Sequence, residues 1–371
     1  MFSAGQLRAK NASDLDINIK DPQDCPTDTV SSISWTPSGN NPTFATSDWA
    51  SYIRIYNLDP DSLALAQQAC FDAESPCLSV KWHEDETTVF AGCTDGSVKS
   101  YDIATGNCSV IGNHEGPVKS VHWIPASNTL LTLSFDKTLR FWDPRQIEPV
   151  AMHRLDYKVY CSDMLYPYLI LGLSEAKCLV VDLTKPQEEL GRNIKYWDSP
   201  FGAKVQITSI RLFQGDNNRI GWGMSANDTR SNLAHFAQGQ QVFDRSDNIM
   251  TFKGHKVDEK QKSTLYPVNC LGFHPHRGYQ FLCTGGGEGK MYFWDAKQKN
   301  KVAEFDFRGN SITQVEIDPT GKYMAYALGY DWARGIQGYM SQPSKVCCHV
   351  LQDRELEYRT QNGAIYPIKY P

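Results

Sequence analysis

Four stretches of this chain end in the same way, and their spacing constrains the fold more than any other feature. They are residues 53–56 (Ile-Arg-Ile-Tyr), 98–102 (Val-Lys-Ser-Tyr-Asp), 139–143 (Leu-Arg-Phe-Trp-Asp) and 290–295 (Lys-Met-Tyr-Phe-Trp-Asp). Each closes a β-rich segment with an aromatic residue, and Asp follows directly in the last three. The first three aromatic residues are Tyr56, Tyr101 and Trp142. A repeat of about 40–45 residues with this ending is typical of a unit of four β-strands.

Such units assemble as blades of a ring, so the chain predicts an all-β fold, a seven-bladed WD40 β-propeller over residues 14–352. The third unit, residues 117–152, is the most regular. The fourth ends in Val-Asp at 181–182 instead of Trp-Asp, and the fifth has lost that ending. An N-terminal strand within residues 14–20 has the alternation to pair with the last blade and close the ring. Residues 1–13 and 353–371 are predicted to be flexible ends.

Composition narrows the function classes. Formal net charge is −5, with 37 Lys and Arg against 42 Asp and Glu. That balance argues against charge-driven binding of duplex DNA, which needs a dominant basic face. The 11 cysteines lack a disulfide spacing and most lie in predicted strands, as in a reducing compartment. No secretory signal and no membrane-spanning run appear, so we expect an intracellular, soluble protein without membrane insertion.

Residues that look catalytic have a structural explanation in a propeller. His114, Ser134, Asp136 and Trp142 stand where WD repeats carry a His–Ser/Thr–Asp–Trp hydrogen-bond network. Such a network satisfies polar groups that burial would otherwise leave costly. No nucleophile elbow, zinc-protease helix or phosphate loop occurs, and a strand follows the glycine run at 285–289. The sequence therefore predicts no enzyme, no cofactor and no metal.

Two features suggest binding instead. Arg230 stands where an inner strand begins, and a charge aimed at the face or channel of the ring would be costly without a carboxylate partner. A solvated turn arginine is the alternative. The second feature is a cluster of aromatic and basic residues on neighbouring blades that suits single-stranded RNA or an acidic peptide; a core Trp beside solvated lysines is its alternative. It comprises Phe252, Lys253, His255, Lys256, Trp294, Lys297, Lys299 and Lys301. The polar stretch at 253–263 is predicted to be a surface loop.

Some runs go beyond a generic propeller. Residues 113–124 and 135–143, together with 159–167 in the fourth blade, resemble the nuclear-pore messenger-RNA export factor family, of the Rae/Gle type. The run 330–335 (Tyr-Asp-Trp-Ala-Arg-Gly) looks like that family's Tyr-Asp-Trp-x-Lys-Gly. The similarity covers about residues 14–351. The fourth- and seventh-blade runs are the specific ones, because generic WD proteins do not share them.

The resemblance implies a propeller that binds a short, acidic nucleoporin segment, the GLEBS motif, across its top face. Arg230 falls where the family has a partner-binding arginine, and Trp49 matches a family position, so both are assigned to peptide binding. The family groove proposed for nucleic acid or acidic partners takes in Phe252, Lys253, Trp294, Lys297, Lys299 and Lys301. Members contact single-stranded RNA or messenger ribonucleoprotein. The resemblance implies the nucleus and nuclear pore, with cytoplasmic shuttling, and in several lineages the mitotic spindle.

The resulting prediction is a non-enzymatic scaffold of messenger-RNA export. Its closest rival is the sister spindle-checkpoint propeller, which binds GLEBS-like segments of checkpoint kinases and kinetochore proteins. A rival of another class, a propeller enzyme, needs clustered carboxylates or metal ligands at the channel mouth, and the sequence shows none. The chain departs from the family at residues 230–233, which are more polar than usual, and in the 336–345 loop.

Overall fold

The computed structural model describes residues 10–11, 16–19, 21–146, 148–191, 194–215, 219–236, 248–259, 262–307, 310–333, 335–338 and 344–352. Most of the two ends predicted to be flexible lies outside these ranges, namely residues 1–9, 12–13 and 353–371. Nearly all described secondary structure is β-strand, in seven sheets of four or five strands and one separate hairpin. No described helix combines the length and the apolar composition that crossing a bilayer requires.

The first three blades are regular four-stranded antiparallel sheets, as the sequence predicts. In chain order, their strands are β3 (Val30–Trp35), β4 (Thr43–Asp48), β5 (Tyr52–Asp59), β6 (Ala64–Asp72), β7 (Cys77–Trp82), β8 (Thr88–Cys93), β9 (Ser97–Asp102), β10 (Cys108–Asn113), β11 (Val118–Ile124), β12 (Thr129–Ser134), β13 (Thr138–Trp142) and β14 (Ala151–Arg154). Their turns have suitable chemistry. Between β8 and β9, Gly96 takes φ +93° and Asp95 accepts the backbone N–H of Ser97.

Blades four to six include the degenerate repeats, and they still complete four strands each. Their elements are β15 (Val159–Leu165), β16 (Tyr168–Leu173), β17 (Lys177–Asp182), the short helix α1 (Pro186–Glu189), β18 (Trp197–Asp198), β19 (Ile207–Gln214), β20 (Ile220–Ala226), β21 (Arg230–His235), β22 (Asn248–Lys253), β25 (Val268–His274), β26 (Gly278–Gly286), β27 (Lys290–Asp295) and β28 (Asn300–Asp306). The segment predicted to be a loop after blade five is instead a hairpin, because β23 (Lys256–Glu259) pairs antiparallel with β24 (Lys262–Leu265).

The two ends of the propeller meet in blade seven, and this pairing closes the ring. Blade seven consists of β29 (Ile312–Ile317), β30 (Tyr323–Leu328) and β31 (Lys345–Val350), completed by β2 (Asp16–Asn18) as outer strand. Ile17 faces Cys348 in the register, and His349 Nδ1 lies 3.0 Å from Asp16 Oδ1. A further short strand, β1 (Lys10–Asn11), pairs in parallel with β28 at the edge of blade six.

The core lies between blades, because each sheet covers the apolar face of the next. The innermost strands contact their neighbours around the whole circle, including β29 against β3. Tryptophans at the ends of inner strands add hydrogen bonds between blades. Trp82 Nε1 donates to the Ser34 carbonyl at 2.8 Å, and Trp35 Nε1 donates to the Glu316 carbonyl at 3.0 Å. The sheets thus pack face to face around a central channel, and these hydrogen bonds join neighbouring blades.

Antiparallel connectivity gives the ring two distinct faces. We call the top face the one with the turns between the second and third strands of each blade. The links from one blade's outer strand to the next blade's inner strand lie there as well. The bottom face carries the turns between first and second strands and between third and fourth strands.

Closure by β2 predicts a stability effect at Ile17, which is buried. Ile17→Ala should lower the free energy of unfolding by about 2 kcal/mol, because it leaves a cavity where the two ends of the ring meet. Val110→Ala is the control, since Val110 is 57% exposed on the outer strand β10, and its loss should stay within about 0.5 kcal/mol. Urea unfolding measures both. Equal losses would show that the ring does not depend on this pairing.

Candidate binding site on the top face

Polar networks hold the top face in place, and the first lies in blade three. Trp142 Nε1 donates to Thr132 Oγ1 at 2.7 Å, Thr132 Oγ1 lies 2.7 Å from His114 Nε2, and His114 Nδ1 lies 3.1 Å from Asp136 Oδ2. A neutral His114 protonated at Nδ1 lets every hydrogen run in one direction, from indole to carboxylate. The predicted hydroxyl was Ser134. It binds the Gly116 and Pro117 carbonyls instead, at 2.9 and 3.0 Å.

A second network of the same form, which is not among the sequence predictions, lies in blade six. Trp294 Nε1 donates to Thr284 Oγ1 at 3.0 Å, and Thr284 Oγ1 lies 2.9 Å from His255 Nε2. His255 Nδ1 lies 2.7 Å from Glu288 Oε1, so a glutamate takes the position of Asp136. All four residues are buried. The signal was present in the sequence, because Thr284, Glu288 and Trp294 repeat the spacing of Thr132, Asp136 and Trp142.

This second network corrects the predicted aromatic part of the RNA groove. Trp294 and Phe252 are each only 8% exposed, and their rings pack with centroids 4.3 Å apart in the core between blades five and six. His255 is 1% exposed. The prediction of a groove floor made of these aromatic side chains is therefore wrong, since bases cannot stack on rings that the core covers.

The basic residues of the predicted groove do not form one surface either. Lys253 ends β22 opposite Arg230, so it lies at the top face. Lys297 and Lys299 lie in the link between β27 and β28, at the bottom face, and both are exposed. Lys301 is partly compensated, because its Nζ lies 2.6 Å from Glu304 Oε2 and 4.5 Å from the centre of the Tyr292 ring. Of the four lysines of the predicted groove, Lys297 and Lys299 are thus the two that are exposed on the same face.

Arg230 has partners within its own chain. Its Nε donates to Asp228 Oδ2 at 2.6 Å, its Nη2 donates to the Phe201 carbonyl at 2.7 Å, and the guanidinium lies 5.5 Å from the centre of the Phe201 ring. The side chain is about a quarter exposed at the start of β21, on the top face. The expectation that this charge awaits a carboxylate is wrong for the free protein, because Asp228 already supplies one.

A cavity of about 610 Å³, which we call the mouth cavity, opens on the top face beside the central channel. Trp49, in the turn between β4 and β5, and Trp332, after β30, are each 47% exposed and line it together with Tyr330. The backbone N–H of Trp49 donates to the Thr29 carbonyl at 3.0 Å, and Thr29 Oγ1 donates to the Tyr330 carbonyl at 3.0 Å. Blades one and seven thus hold the two tryptophans at one opening.

The mouth cavity also has polar walls. Asn269 Nδ2 donates to Asp331 Oδ2 at 3.2 Å and to the Ile312 carbonyl at 3.1 Å, while Asp331 Oδ1 accepts the Ala333 N–H at 3.1 Å. Lys119, near the start of β11, lines the mouth cavity and also the channel below it. Trp49 is the one wall residue that the sequence analysis assigned to a site. The run 330–335 is one of those that carry the family resemblance, and its residues Tyr330, Asp331 and Trp332 line this opening.

The central channel below the mouth has a volume of about 280 Å³ and is lined by the inner strands of all seven blades. Arg211 Nη1 lies 3.5 Å from Asp163 Oδ1, and burial raises the pKa of Glu316. No group of three or more His, Cys, Asp or Glu side chains among the described residues is arranged to hold a metal ion. Polar side chains form much of the channel wall.

Comparison with known proteins agrees with this architecture. The family model "WD domain, G-beta repeat" matches residues 66–102, 106–143 and 246–295. The chain is 32% identical to "mRNA export factor rae-1" of Caenorhabditis elegans, over 87% of this chain and 86% of that protein. It is 30% identical to "Poly(A)+ RNA export protein" of Schizosaccharomyces pombe, over 94% of both chains. "Spindle assembly checkpoint protein bub3" of the same yeast is 30% identical over 81% of this chain and 88% of its own length.

The blade-three network predicts a pH dependence of stability. Burial lowers the pKa of His114 from 6.5 to about 4. The unfolded chain therefore takes up a proton at this residue before the folded one does, and stability falls as pH drops from 6.5 towards 4. The expected loss from this residue is about 3 kcal/mol.

Urea unfolding of wild type and His114→Gln at pH 7 and pH 4.5 tests this dependence. The variant should be less stable at pH 7 and should lose less on acidification. His276→Gln removes an exposed histidine and should behave as wild type. Parallel pH profiles for wild type and His114→Gln would contradict the prediction.

Proposed function

This chain belongs to the family of WD-repeat messenger-RNA export factors, and from that membership we propose that it is a non-enzymatic scaffold of messenger-RNA export. It docks a GLEBS-type nucleoporin segment on its top face and contacts single-stranded RNA or messenger ribonucleoprotein elsewhere on the ring. The relatives named for RNA export match nearly the whole propeller, so the proposal concerns the whole ring rather than one blade. Its place of action is the nucleus and the nuclear pore, with shuttling to the cytoplasm.

One observation carries the peptide proposal: two half-exposed tryptophans, Trp49 and Trp332, line one cavity on the top face. Large exposed apolar side chains around a concavity are unusual on a surface that binds nothing, and tryptophan dominates the energetics of many protein interfaces. Side chains of an extended or helical segment fit a cavity of about 610 Å³. Hydrogen bonds among the wall residues, from Thr29 to Tyr330 and from Asn269 to Asp331, hold this shape in the free protein.

Arg230 belongs to the same face and would act as a second contact away from the mouth. Because Asp228 neutralises it in the free protein, an acidic partner must share or displace that carboxylate. A contact that replaces an existing ion pair contributes less affinity than one that satisfies an unpaired charge. Trp49 should therefore matter more than Arg230 for capture of the segment.

RNA contact would rest on the lysines of the link between β27 and β28. Lys297 and Lys299 are exposed, and neither forms an ion pair with a described residue. Phosphate binding by such lysines is driven by counterion release and does not require stacked aromatic rings. This patch is smaller than the predicted groove, so the affinity it contributes is modest.

The checkpoint function is the second candidate, because the bub3 protein of Schizosaccharomyces pombe matches most of the propeller at 30% identity. Both candidates dock an acidic segment on the top face. They differ in the partner, so affinity purification followed by mass spectrometry separates them. Recovery of pore proteins would support export, while recovery of checkpoint kinases without pore proteins would overturn it.

For the peptide, Trp49→Ala should weaken binding of a GLEBS-type nucleoporin segment about tenfold or more, because it removes an aromatic wall of the mouth cavity. Arg230→Glu should weaken it less than Trp49→Ala does. Fluorescence anisotropy with a labelled segment measures both. Met152→Ala is the control, since Met152 is 56% exposed on the outer strand β14. Unchanged binding by Trp49→Ala would remove the mouth cavity from the docking site.

For RNA, the double change Lys297→Ala and Lys299→Ala should weaken binding of a single-stranded oligonucleotide. It should also reduce the slope of log affinity against log salt by about 1.4, which corresponds to two lost phosphate contacts. Lys185→Ala with Lys204→Ala is the matched control, because both lysines are exposed on another part of the ring. An equal slope in the two double variants would assign Lys297 and Lys299 to ordinary solvated surface.

A further inference from the structure

Lys119 is a partly buried cation at the boundary between the mouth cavity and the channel. As the second residue of β11 it lines both openings. Within the described part of the chain, its ammonium group forms no hydrogen bond and no ion pair. Burial lowers the pKa of Lys119, as expected where no carboxylate compensates the charge. A protein that keeps a cation in such a position loses stability unless a ligand supplies the partner.

The other charges near the mouth are engaged elsewhere. Asp331 accepts hydrogen bonds from Asn269 and from the Ala333 N–H, and Asp28 Oδ1 accepts the Thr29 N–H at 2.6 Å. Below the mouth, Asp163 pairs with Arg211 at 3.5 Å. Glu316 lies farther along the channel, where the charges of Lys81 and Arg211 act on it. Lys119 is thus the cation at the mouth that these carboxylates leave uncompensated.

We propose that Lys119 binds a carboxylate of the docked segment, an Asp or Glu side chain that enters the channel between Trp49 and Trp332. This inference rests on the proposed peptide function and deepens it by naming the residue that recognises the acidic character of the partner. A single ammonium matches a singly charged carboxylate. A phosphate carries more charge than a carboxylate, so Asp28 and Asp331 in the same cavity would repel it more strongly. Apolar side chains flanking the acidic residue would pack on the two tryptophans.

The role differs from that assigned to Arg230. Arg230 has an acidic partner in the free protein, whereas Lys119 has none among the described residues, so Lys119 is the one of the two that gains its first ion pair on binding. Replacing Lys119 by an apolar residue should therefore weaken binding while leaving the free protein as stable as before, or more stable. A purely structural lysine would show the opposite pattern, with lower stability and little direct effect on binding.

Isothermal titration of the full chain with a synthetic GLEBS-type nucleoporin segment tests the proposal. Lys119→Met should weaken binding tenfold or more, and Lys119→Arg should stay within about threefold of wild type. Lys185→Met is the control for loss of an exposed lysine. Each acidic residue of the segment is then changed in turn to Asn or Gln. One of these changes should weaken binding to wild type tenfold and have almost no further effect on Lys119→Met.

The outcomes separate the two proposals. If wild type does not bind the segment, the peptide function itself fails. If wild type binds it and Lys119→Met binds equally well, or if no acidic position couples to Lys119, docking stands and the role of Lys119 is overturned. If binding of a single-stranded RNA oligonucleotide depends on Lys119 but binding of the segment does not, Lys119 recognises phosphate and the proposed carboxylate contact is overturned. Should Lys119→Met fold poorly in thermal unfolding, Lys119→Gln repeats the titration with a polar side chain of similar length.

Discussion

Closure of the ring by β2 is the constraint on which the rest of this structure depends. Each blade has two apolar faces, and only the neighbouring blade can cover them, so a gap anywhere in the circle would expose core. The pairing of β2 with β31 fills that gap by joining the two ends of the propeller. Because the inner strands then surround one axis, their polar positions that face this axis become the wall of a narrow channel. The channel and its mouth exist only as a consequence of closure.

The buried hydrogen-bond networks transmit this rigidity to the top face. In blade three, the network joins the link before β11, strands β12 and β13, and the turn between these two strands. Its members are His114, Thr132, Asp136 and Trp142. Blade six repeats the arrangement with Glu288 as the acid. Every hydrogen-bond donor in each network has an acceptor, so burying these polar groups costs little free energy. The networks also restrict how the turns can move. A binding face built on fixed turns loses less conformational entropy when a partner docks.

Charge distribution, rather than net charge, distinguishes the top face from the rest of the ring. With a formal net charge of −5, the chain as a whole has no strong attraction for an acidic partner. The mouth nevertheless combines two half-exposed tryptophans with the ammonium of Lys119, which has no ion-pair partner in the described part of the chain. This set of groups suits an acidic residue with apolar neighbours. Arg230 shows the opposite case, because a conspicuous charge in the sequence is neutralised by Asp228 in space. Asp228 stands only two residues before Arg230 in the sequence, but only the structure shows that the two side chains pair.

The repeat by itself determined the architecture: spacing and strand endings predicted seven blades, and alternation at residues 14–20 predicted the closing strand, because both signals are local. A second network could also have been read from the chain, since Thr284, Glu288 and Trp294 repeat the spacing of Thr132, Asp136 and Trp142. The burial of Phe252 and Trp294 could not be predicted from the sequence, because it results from packing between two neighbouring blades. Lys119 looks like any lysine on an alternating strand. Only the tertiary structure places that side of β11 in the wall of a channel, where an uncompensated charge is costly unless a ligand supplies its partner.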